Sequence, residues 1–122
     1  MIDPNGDTIV VIDDDNDVLD VLGGLLDICG YPVKTYPSAE DFFADKTVQP
    51  SCLVLDQNMP DMSGLDLIAK LRSERHPIPT VLITGLLDPE TASRAEALGV
   101  TKVLTKPMSH HELLDGIEIC LH

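Results

Sequence analysis

The sequence predicts one α/β domain, a doubly wound parallel sheet of five strands with five helices. Three observations support this prediction. Five short apolar runs alternate with segments in which apolar residues recur at helical spacing. Parallel strands need long crossovers, and covering helices supply them. The 122 residues suffice for one hydrophobic core and are too few for two.

The predicted strands are short runs that contain valine, isoleucine or leucine, each bounded by turn-forming or polar residues. Runs that are apolar throughout, such as residues 9–12 and 52–55, are typical of strands that are covered on both faces. The runs cover residues 9–12, 33–36, 52–55, 79–83 and 102–105.

The helix boundaries are predicted from capping signals. Gly30 and Gly99 follow helical patterns, and glycine commonly ends a helix. Ser38 begins a capping-box-like segment, and Ser109 with Glu112 forms a capping box. The predicted helices cover 16–29, the segment after Ser38 with Phe42 and Phe43, 65–75, 89–98 and the segment after Ser109. The residues predicted to face inward are Val18, Val21, Leu22, Leu25, Ile28 and Cys29 in the first helix, Leu67, Ile68 and Leu71 in the third, and Leu113, Leu114, Ile117 and Leu121 in the last.

Composition narrows the class of partner. The 21 acids and 8 bases give a net charge of −13, which repels nucleic acid, so we expect no direct nucleic-acid binding. No apolar stretch is long enough to span a bilayer, and we expect a cytoplasmic protein.

Cys29, Cys52 and Cys120 are predicted to be buried free thiols. Residues 1–7 are expected to be a flexible lead-in to a domain of residues 8–122.

Polar residues follow four of the predicted strands. Asp13 and Asp14 follow the first, Asp56 the third, Thr84 the fourth and Lys106 the fifth. Because the carboxyl ends of parallel strands lie on one edge, we expect these side chains to converge there. Ligands of open α/β sheets bind at that edge.

The acids at this edge favour a divalent cation. Oxygen donors suit Mg²⁺, with Mn²⁺ as an alternative. A calcium loop is excluded because Val18 and Gly24 occupy the positions that require glycine and glutamate. A phosphate-binding loop is excluded because no glycine-rich turn follows the first strand. Asp15 is either part of the acidic cluster or a helix cap.

Asp56 is the candidate nucleophile, because an aspartate can form an aspartyl phosphate. Phosphoryl transfer mainly requires positioning and neutralisation of charge. A cation held by acids, the Thr84 hydroxyl and the Lys106 ammonium would supply both, and Gly85 would leave room for the phosphoryl group.

These motifs resemble the receiver domain of two-component response regulators. The resemblance covers residues 8–121 and implies the flavodoxin-like strand order 2-1-3-4-5. The matching motifs, in chain order, are Asp13-Asp14, Asp56 with Met59-Pro60 and Ser63-Gly64, Thr84-Gly85, and Lys106-Pro107.

The resemblance also implies roles for individual residues. Asp56 would be the phosphoacceptor and, with Asp14 directly and Asp13 mostly through water, would bind Mg²⁺. The backbone carbonyl of Asn58 would complete the metal site. Thr84 would donate to the phosphoryl group, Lys106 would pair with it or with unmodified Asp56, and the bond from Lys106 to Pro107 would be cis.

The implied function is a phosphorylation-dependent switch that alters the last two βα units. The phosphodonor would be a sensor histidine kinase or a histidine phosphotransfer protein, and the receiver would act on an output domain or a homodimer partner. It would catalyse only its own phosphorylation and dephosphorylation. The alternatives are a haloacid-dehalogenase-like phosphatase, which places its nucleophile on the first strand, and a receiver-like module that is never phosphorylated.

One position departs from the family pattern. Val103 stands where receivers often have a tyrosine or phenylalanine that rotates inward with the switch threonine. We therefore expect switching through the backbone of the loops after Asp56 and Thr84. Leu86 and Leu87 in one of these loops are either a docking surface or packing residues.

Overall fold

A computed structural model describes residues 8–122; the lead-in predicted for residues 1–7 lies outside the described residues. The five predicted strands are all present and pair in parallel. Their bounds are β1 Ile9–Ile12, β2 Val33–Tyr36, β3 Cys52–Asp56, β4 Thr80–Thr84 and β5 Lys102–Thr105.

The strands form one sheet in the order β2-β1-β3-β4-β5, which confirms the predicted topology. In the register, Ile12 lies opposite Leu55, and Asp56 lies opposite Ile83. The order reverses between β1 and β3, so the ends of these two strands border the crevice in which such sheets bind ligands.

Five helices of the described chain cover the two faces of the sheet. The longest has 13 residues, and over residues 8–122 no helix is long and apolar enough to cross a membrane. The helix bounds are α1 Asn16–Ile28, α2 Ala39–Ala44, α3 Gly64–Ser73, α4 Pro89–Ala97 and α5 His110–Leu121.

Alternate residues of the central strands point into two separate cores. Val10, Leu53 and Leu55 contribute to one core with residues of α2, α3 and α4. Val11 and Val54 contribute to the other with residues of α1 and α5. Burial on both faces explains why these strands are continuous apolar runs rather than alternating ones.

The buried face of α1 differs from the predicted one. Leu19, Leu22 and Leu26 are buried against the sheet. Val21 and Ile28, predicted to face inward, are 55% and 85% exposed. Apolar residues occupy a wider part of the surface of α1 than the sheet covers. Helical spacing alone is therefore compatible with either of two neighbouring faces being the buried one.

The prediction of three buried thiols was wrong for Cys29. This residue follows the last turn of α1 and is exposed, because the chain turns at Gly30 with φ 92°. Cys52 and Cys120 are buried free thiols as predicted. Phe42 is buried, whereas Phe43 only packs against the edge of the core.

Several element ends differ from the prediction by one or two residues. The third helix ends at Ser73 because Arg75 adopts the left-handed conformation with φ 63°. β4 begins at Thr80 rather than at Pro79, which has no N–H to donate. The first and fourth helices each end one residue earlier than predicted.

Helix α4 has the smallest buried face of the described helices, with Ala95 as its one buried residue. Polar contacts connect it to α3. Arg94 pairs with Asp66 at 2.7 Å, and Arg72 Nε donates to the carbonyl of Leu98 at 3.0 Å. The position of α4 therefore depends more on surface contacts than on apolar packing.

Candidate functional site

The polar residues that follow the strands lie at one edge of the sheet, as predicted from the alternation. Asp13 directly follows β1, and its N–H donates to the carbonyl of Tyr36 at 3.2 Å. Asp56 ends β3 and Thr84 ends β4. The N–H of Lys106 donates to the carbonyl of Thr84 at 2.9 Å, which fixes the start of the β5–α5 loop beside β4.

Three carboxylates meet at this edge. One oxygen each from Asp13, Asp14 and Asp56 can be chosen so that all three lie within 4.8 Å of one another. Asp13 and Asp56 are each 5% exposed, whereas Asp14 is exposed. The cluster therefore combines two buried acids with one that solvent reaches.

Burial raises the pKa of Asp13 to about 6. The N–H of Asp15 opposes this shift by donating to Asp13 Oδ1 at 2.9 Å. The nearby Asp56 raises the pKa further, Lys106 lowers it, and Asp14 raises it. A cation at this point would favour the ionised carboxyl.

Asp15 has a different role from its two neighbours. Its side chain accepts a hydrogen bond from the N–H of Asp17 at 2.9 Å and forms the N-cap of α1. Of the two roles open for Asp15 on sequence grounds, the structure supports the helix cap.

Asp56 forms an ion pair with Lys106. Lys106 Nζ lies 3.2 Å from Asp56 Oδ1, and the lysine side chain is 46% exposed. Although it is buried and within ion-pair distance of Lys106, Asp56 Oδ1 has no aligned hydrogen-bond donor among the described residues. An oxygen in this state retains capacity for another positive partner.

This donor set fits Mg²⁺. Asp13, Asp14 and Asp56 offer hard oxygen ligands, and one of the buried oxygens has no aligned hydrogen-bond donor within residues 8–122. Magnesium accepts one or two carboxylates directly and keeps several waters, which the exposed side of the cluster would admit. The three acids can thus hold the ion without further protein charge.

The Thr84 hydroxyl is buried and already engaged. It donates to the carbonyl of Leu86 at 3.0 Å and accepts from the N–H of Leu86 at 3.3 Å. Leu86 and Leu87 themselves are 72% and 41% exposed. The side chain of Thr84 thus holds the first turn of a loop that presents two apolar residues to solvent.

Three further predicted features lie in the β4–α4 loop, in β5 and directly after β5. A Cβ added at Gly85 would meet no atom within 4 Å, so the space next to Thr84 is open. Val103 is partly buried and packs against the core to which α2, α3 and α4 contribute. The peptide bond between Lys106 and Pro107 is cis, as the resemblance implied.

Gln57 was missed by sequence reasoning. Its Oε1 accepts from the N–H of Leu65 at 2.9 Å, and its carbonyl accepts from the N–H of Gly64 at 3.1 Å. Both bonds close the loop that contains Asn58, which is exposed. No local pattern signals this role, because the partners lie seven and eight residues further along the chain.

Gly64 lets α3 approach the end of β3. A Cβ at this position would lie 2.9 Å from the carbonyl oxygen of Asp56 and 2.7 Å from Leu82 Cδ1. The side chain of Ser63 caps the same helix by accepting from the N–H of Asp66 at 3.1 Å. The start of α3 therefore supports the backbone of Asp56 directly.

The reversed strand order and the carboxylates beside it define a doubly wound α/β domain with an acid-lined site at the carboxyl edge of its sheet. Residues 9–118 match the response regulator receiver domain family. The chain belongs to this family, whose members are signalling switches rather than classical enzymes.

Individual relatives agree with this assignment. The chain is 39% identical over 114 residues to the response regulator protein TmoT of Ectopseudomonas mendocina, covering 93% of this chain and 52% of TmoT. It is 35% identical over 112 residues to the transcriptional regulatory protein FixJ of Rhizobium meliloti (strain 1021), covering 91% of this chain and 55% of FixJ. The chain thus spans about half the length of these relatives.

Solved structures share the fold. The chain is similar to a CheY-like response regulator receiver domain protein from Methanospirillum hungatei JF-1, with TM-score 0.87, 26% identity and coverage of 95% and 94% of the two chains. It is similar to FixJ-N with TM-score 0.86, 34% identity and coverage of 99% and 95%.

Proposed function

We propose that this chain is a phosphorylation-dependent switch of a two-component phosphorelay, which accepts one phosphoryl group on Asp56 in the presence of Mg²⁺. The proposal rests on the proximity of three carboxylates and one lysine at the carboxyl edge of the sheet. Oxygens of Asp13, Asp14 and Asp56 lie within 4.8 Å of one another, and Lys106 Nζ lies 3.2 Å from Asp56.

In the proposed transfer, a carboxylate oxygen of Asp56 attacks the phosphorus of a phosphohistidine. The phosphorus–nitrogen bond breaks, its electron pair stays on the imidazole, and the imidazole takes a proton from solvent. Lys106 offsets charge on the phosphoryl oxygens. Bound Mg²⁺ would neutralise further charge, as in other phosphoryl transfers. Hydrolysis of the aspartyl phosphate by water resets the domain.

The proposed ligands of Mg²⁺, or of Mn²⁺ in its place, are Asp13, Asp14, Asp56 and the backbone carbonyl of Asn58. The buried Asp56 Oδ1, which has no aligned donor in the described part of the chain, supports this assignment. The two hydrogen bonds of Gln57 support it as well, because they hold the loop on which Asn58 lies.

Switching is proposed to begin at Thr84. Its hydroxyl donates to the carbonyl of Leu86 at 3.0 Å. A hydroxyl has one proton, so donation to a phosphoryl oxygen would break this bond and release the turn that presents Leu86 and Leu87. Gly85 leaves the neighbouring space open, and Val103 offers no ring to rotate. We infer that the change then passes to α4 and the last two βα units, because α4 is held mainly by surface contacts.

The proposed phosphodonor is a sensor histidine kinase or a histidine phosphotransfer protein in the cytoplasm. A protein donor must dock beside the acidic cluster, and an apolar groove of about 290 Å³ lies between α1 and the start of α5. Its lining residues are Asp17, Val18, Val21, Leu22, Met108 and His110. Exposed Val21 and partly buried Val18 would pack against an apolar face of that donor.

The output is proposed to be another domain or a second copy of this receiver. Relatives such as FixJ bear the name of transcriptional regulatory proteins and are about twice as long as the matched region. The net charge of −13 argues that any DNA contact is made by another domain.

The test is exposure of the chain to acetyl phosphate with Mg²⁺, followed by intact mass spectrometry. We expect the mass to increase by one phosphoryl group, and Asp56→Asn to abolish the increase. Asp20→Asn, which removes an exposed carboxylate from the middle of α1, is the matched control and should be phosphorylated normally.

Three outcomes would refute the proposal. The same added mass on Asp56→Asn would exclude Asp56 as the phosphoacceptor. An unmodified wild-type chain would favour the receiver-like module that is never phosphorylated, and repeated hydrolysis of an added phosphate ester would favour the phosphatase alternative.

A further inference from the structure

We propose that Gln57 is a positioning residue for Mg²⁺ binding, an inference that rests on the metal site of the proposed function. Its hydrogen bonds fix the backbone next to Asn58, whose carbonyl is a proposed ligand of the ion. A backbone ligand cannot be removed by substituting its own side chain. The direction of the Asn58 carbonyl therefore depends on the residues that hold the chain on either side of it.

Gln57 is bonded at three points to two different elements. Its N–H donates to the carbonyl of Ile83 in β4 at 2.8 Å, and its carbonyl accepts from the N–H of Gly64 at 3.1 Å. Its side-chain Oε1 accepts from the N–H of Leu65 at 2.9 Å. The residue after Asp56 is thus tied to a strand on one side and to the start of α3 on the other.

The side-chain bond satisfies a backbone group at the start of α3. The first N–H groups of a helix have no partner within the helix. Ser63 Oγ accepts from the N–H of Asp66, and Gln57 Oε1 accepts from that of Leu65. Because Leu65 is only 1% exposed, water cannot readily replace Gln57 as the partner of this N–H. The amide of Gln57 is therefore held firmly against the helix.

Asn58 lies between two fixed neighbours. Gln57 precedes it, and Met59 follows it with 8% exposure in the core to which α2, α3 and α4 contribute. The peptide bond between residues 57 and 58 is planar, so fixing the carbonyl of Gln57 also fixes the N–H of Asn58. The side chain of Asn58 itself is exposed. Its carbonyl is thus oriented by the neighbouring residues rather than by its own side chain.

The preferred geometry of Mg²⁺ makes this restraint important. Magnesium requires nearly octahedral coordination at about 2.0–2.1 Å, whereas Ca²⁺ accepts irregular coordination at about 2.3–2.6 Å. Substitution of a residue that holds a metal ligand in place commonly weakens metal binding by about 10–100-fold. A carbonyl that turns freely would therefore weaken the binding of Mg²⁺ more than that of Ca²⁺.

The test compares Gln57→Met with the wild type by calorimetric titration of Mg²⁺ and Ca²⁺ and by urea unfolding. Methionine has a similar length but offers only a weak acceptor to Leu65. We expect the dissociation constant for Mg²⁺ to rise about tenfold and that for Ca²⁺ to rise less than about threefold. Gln57→Glu keeps an acceptor oxygen at the same reach and should bind Mg²⁺ no more than about threefold more weakly than the wild type.

Ser63→Ala is the matched control, because it removes one hydrogen bond from the same helix start and leaves those of Gln57 intact. Its urea midpoint should fall about as far as that of Gln57→Met, since each variant loses one bond of similar strength. Its affinity for Mg²⁺ should stay within about twofold of the wild type. If Gln57→Met fails to fold, Gln57→Asn, whose amide is one methylene group shorter, replaces it with the same expectations.

Equal Mg²⁺ affinity of Gln57→Met and the wild type would overturn the role of Gln57 and leave the proposed function intact. The role would also be overturned if Ser63→Ala lost as much Mg²⁺ affinity as Gln57→Met, or if Mg²⁺ and Ca²⁺ were weakened equally. A wild-type chain that binds no Mg²⁺ would instead refute the metal site of the proposed function, and the role of Gln57 with it.

Discussion

At the scale of single residues, Asp13 is the position where burial and charge conflict most directly. It is 5% exposed, and its pKa is raised to about 6. The pKa of an aspartate in an unfolded chain is about 3.9. The ionised side chain therefore opposes folding at neutral pH in the absence of a cation, and a metal at the site would remove the conflict.

Asp13→Asn should stabilise the metal-free protein by roughly 1–3 kcal/mol at pH 7.5, as measured by urea unfolding. The sign follows from a pKa that is higher in the folded state. The penalty on the wild type is complete above about pH 6, declines as pH falls, and is absent below about pH 4. The advantage of the variant should disappear over the same interval.

Magnesium should reverse the order. Saturating Mg²⁺ should stabilise the wild type and have little effect on Asp13→Asn, with Asp20→Asn behaving as the wild type. A variant no more stable than the wild type at pH 7.5 without Mg²⁺ would contradict this account of Asp13.

The residue types of the site were easier to predict from the sequence than the role of each residue. The acids after β1 could be recognised as a cluster, but only the backbone conformation assigns Asp15 to the helix cap. Gln57 could not be recognised, because its amide matters only once the loop to Leu65 has closed.

At the scale of elements, the start of α3 can lie against the backbone of Asp56 because Gly64 has no side chain. Gly64→Ala would place a methyl group 2.9 Å from the backbone oxygen of Asp56, which cannot move as a flexible side chain can. We expect a loss of about 1–3 kcal/mol in the free energy of unfolding, with weaker Mg²⁺ binding because Asp56 shifts.

Gly24→Ala in α1 is the matched control for this substitution. An added Cβ there meets no atom within 4 Å, so alanine should stabilise the helix by about 0.5–1 kcal/mol. Equal stabilisation by Gly64→Ala and Gly24→Ala in urea unfolding would show that the start of α3 is not in close contact with β3.

The exposed side of α1 is expected to contact the phosphodonor. Val21 lines the groove between α1 and the start of α5, whereas Ile28 lies two turns further along the helix and outside it. Val21→Lys should slow phosphoryl transfer from a sensor kinase at least about tenfold, because it places a charge in an apolar contact. Ile28→Lys should not.

The donor for this measurement is the kinase that phosphorylates the wild type fastest in a panel of purified sensor kinases. Acetyl phosphate, which needs no docking surface, should modify wild type and both variants at equal rates. Equal transfer from the kinase to Val21→Lys and wild type would show that the donor docks elsewhere.

Helix α1 also shows why the sequence defines elements better than it defines their faces. The predicted range, 16–29, differs from the observed helix by one residue. Leu22 is buried as predicted, but the prediction was wrong for Val21 and Ile28, because apolar residues also occupy a flank of the helix that the sheet does not cover, and periodicity does not reveal which flank is covered.

At the scale of the whole molecule, the alternation of five strands and five helices was sufficient to predict one parallel sheet. Apolar patterns do not encode strand order; that came from the resemblance and agrees with the structure. The meeting of Asp13, Asp56 and Lys106 then follows from topology, since parallel strands bring their carboxyl ends to one edge.

The exposed surface was less predictable than the sheet. Leu86 and Leu87 could be packing residues or a docking surface on sequence grounds, and their exposure favours the latter. The Thr84 hydroxyl holds a short local turn that leaves both side chains in solvent, and the residue pattern did not predict this turn.

Phosphoryl binding at Asp56 is tested best by a crystal structure of the chain with Mg²⁺ and beryllium fluoride, which mimics a phosphoryl group on aspartate. We expect Mg²⁺ among Asp13, Asp14 and Asp56, fluoride atoms within hydrogen-bond distance of Thr84 and Lys106, and loss of the bond from Thr84 to Leu86. Beryllium on another side chain, or Mg²⁺ away from Asp13 and Asp14, would contradict it.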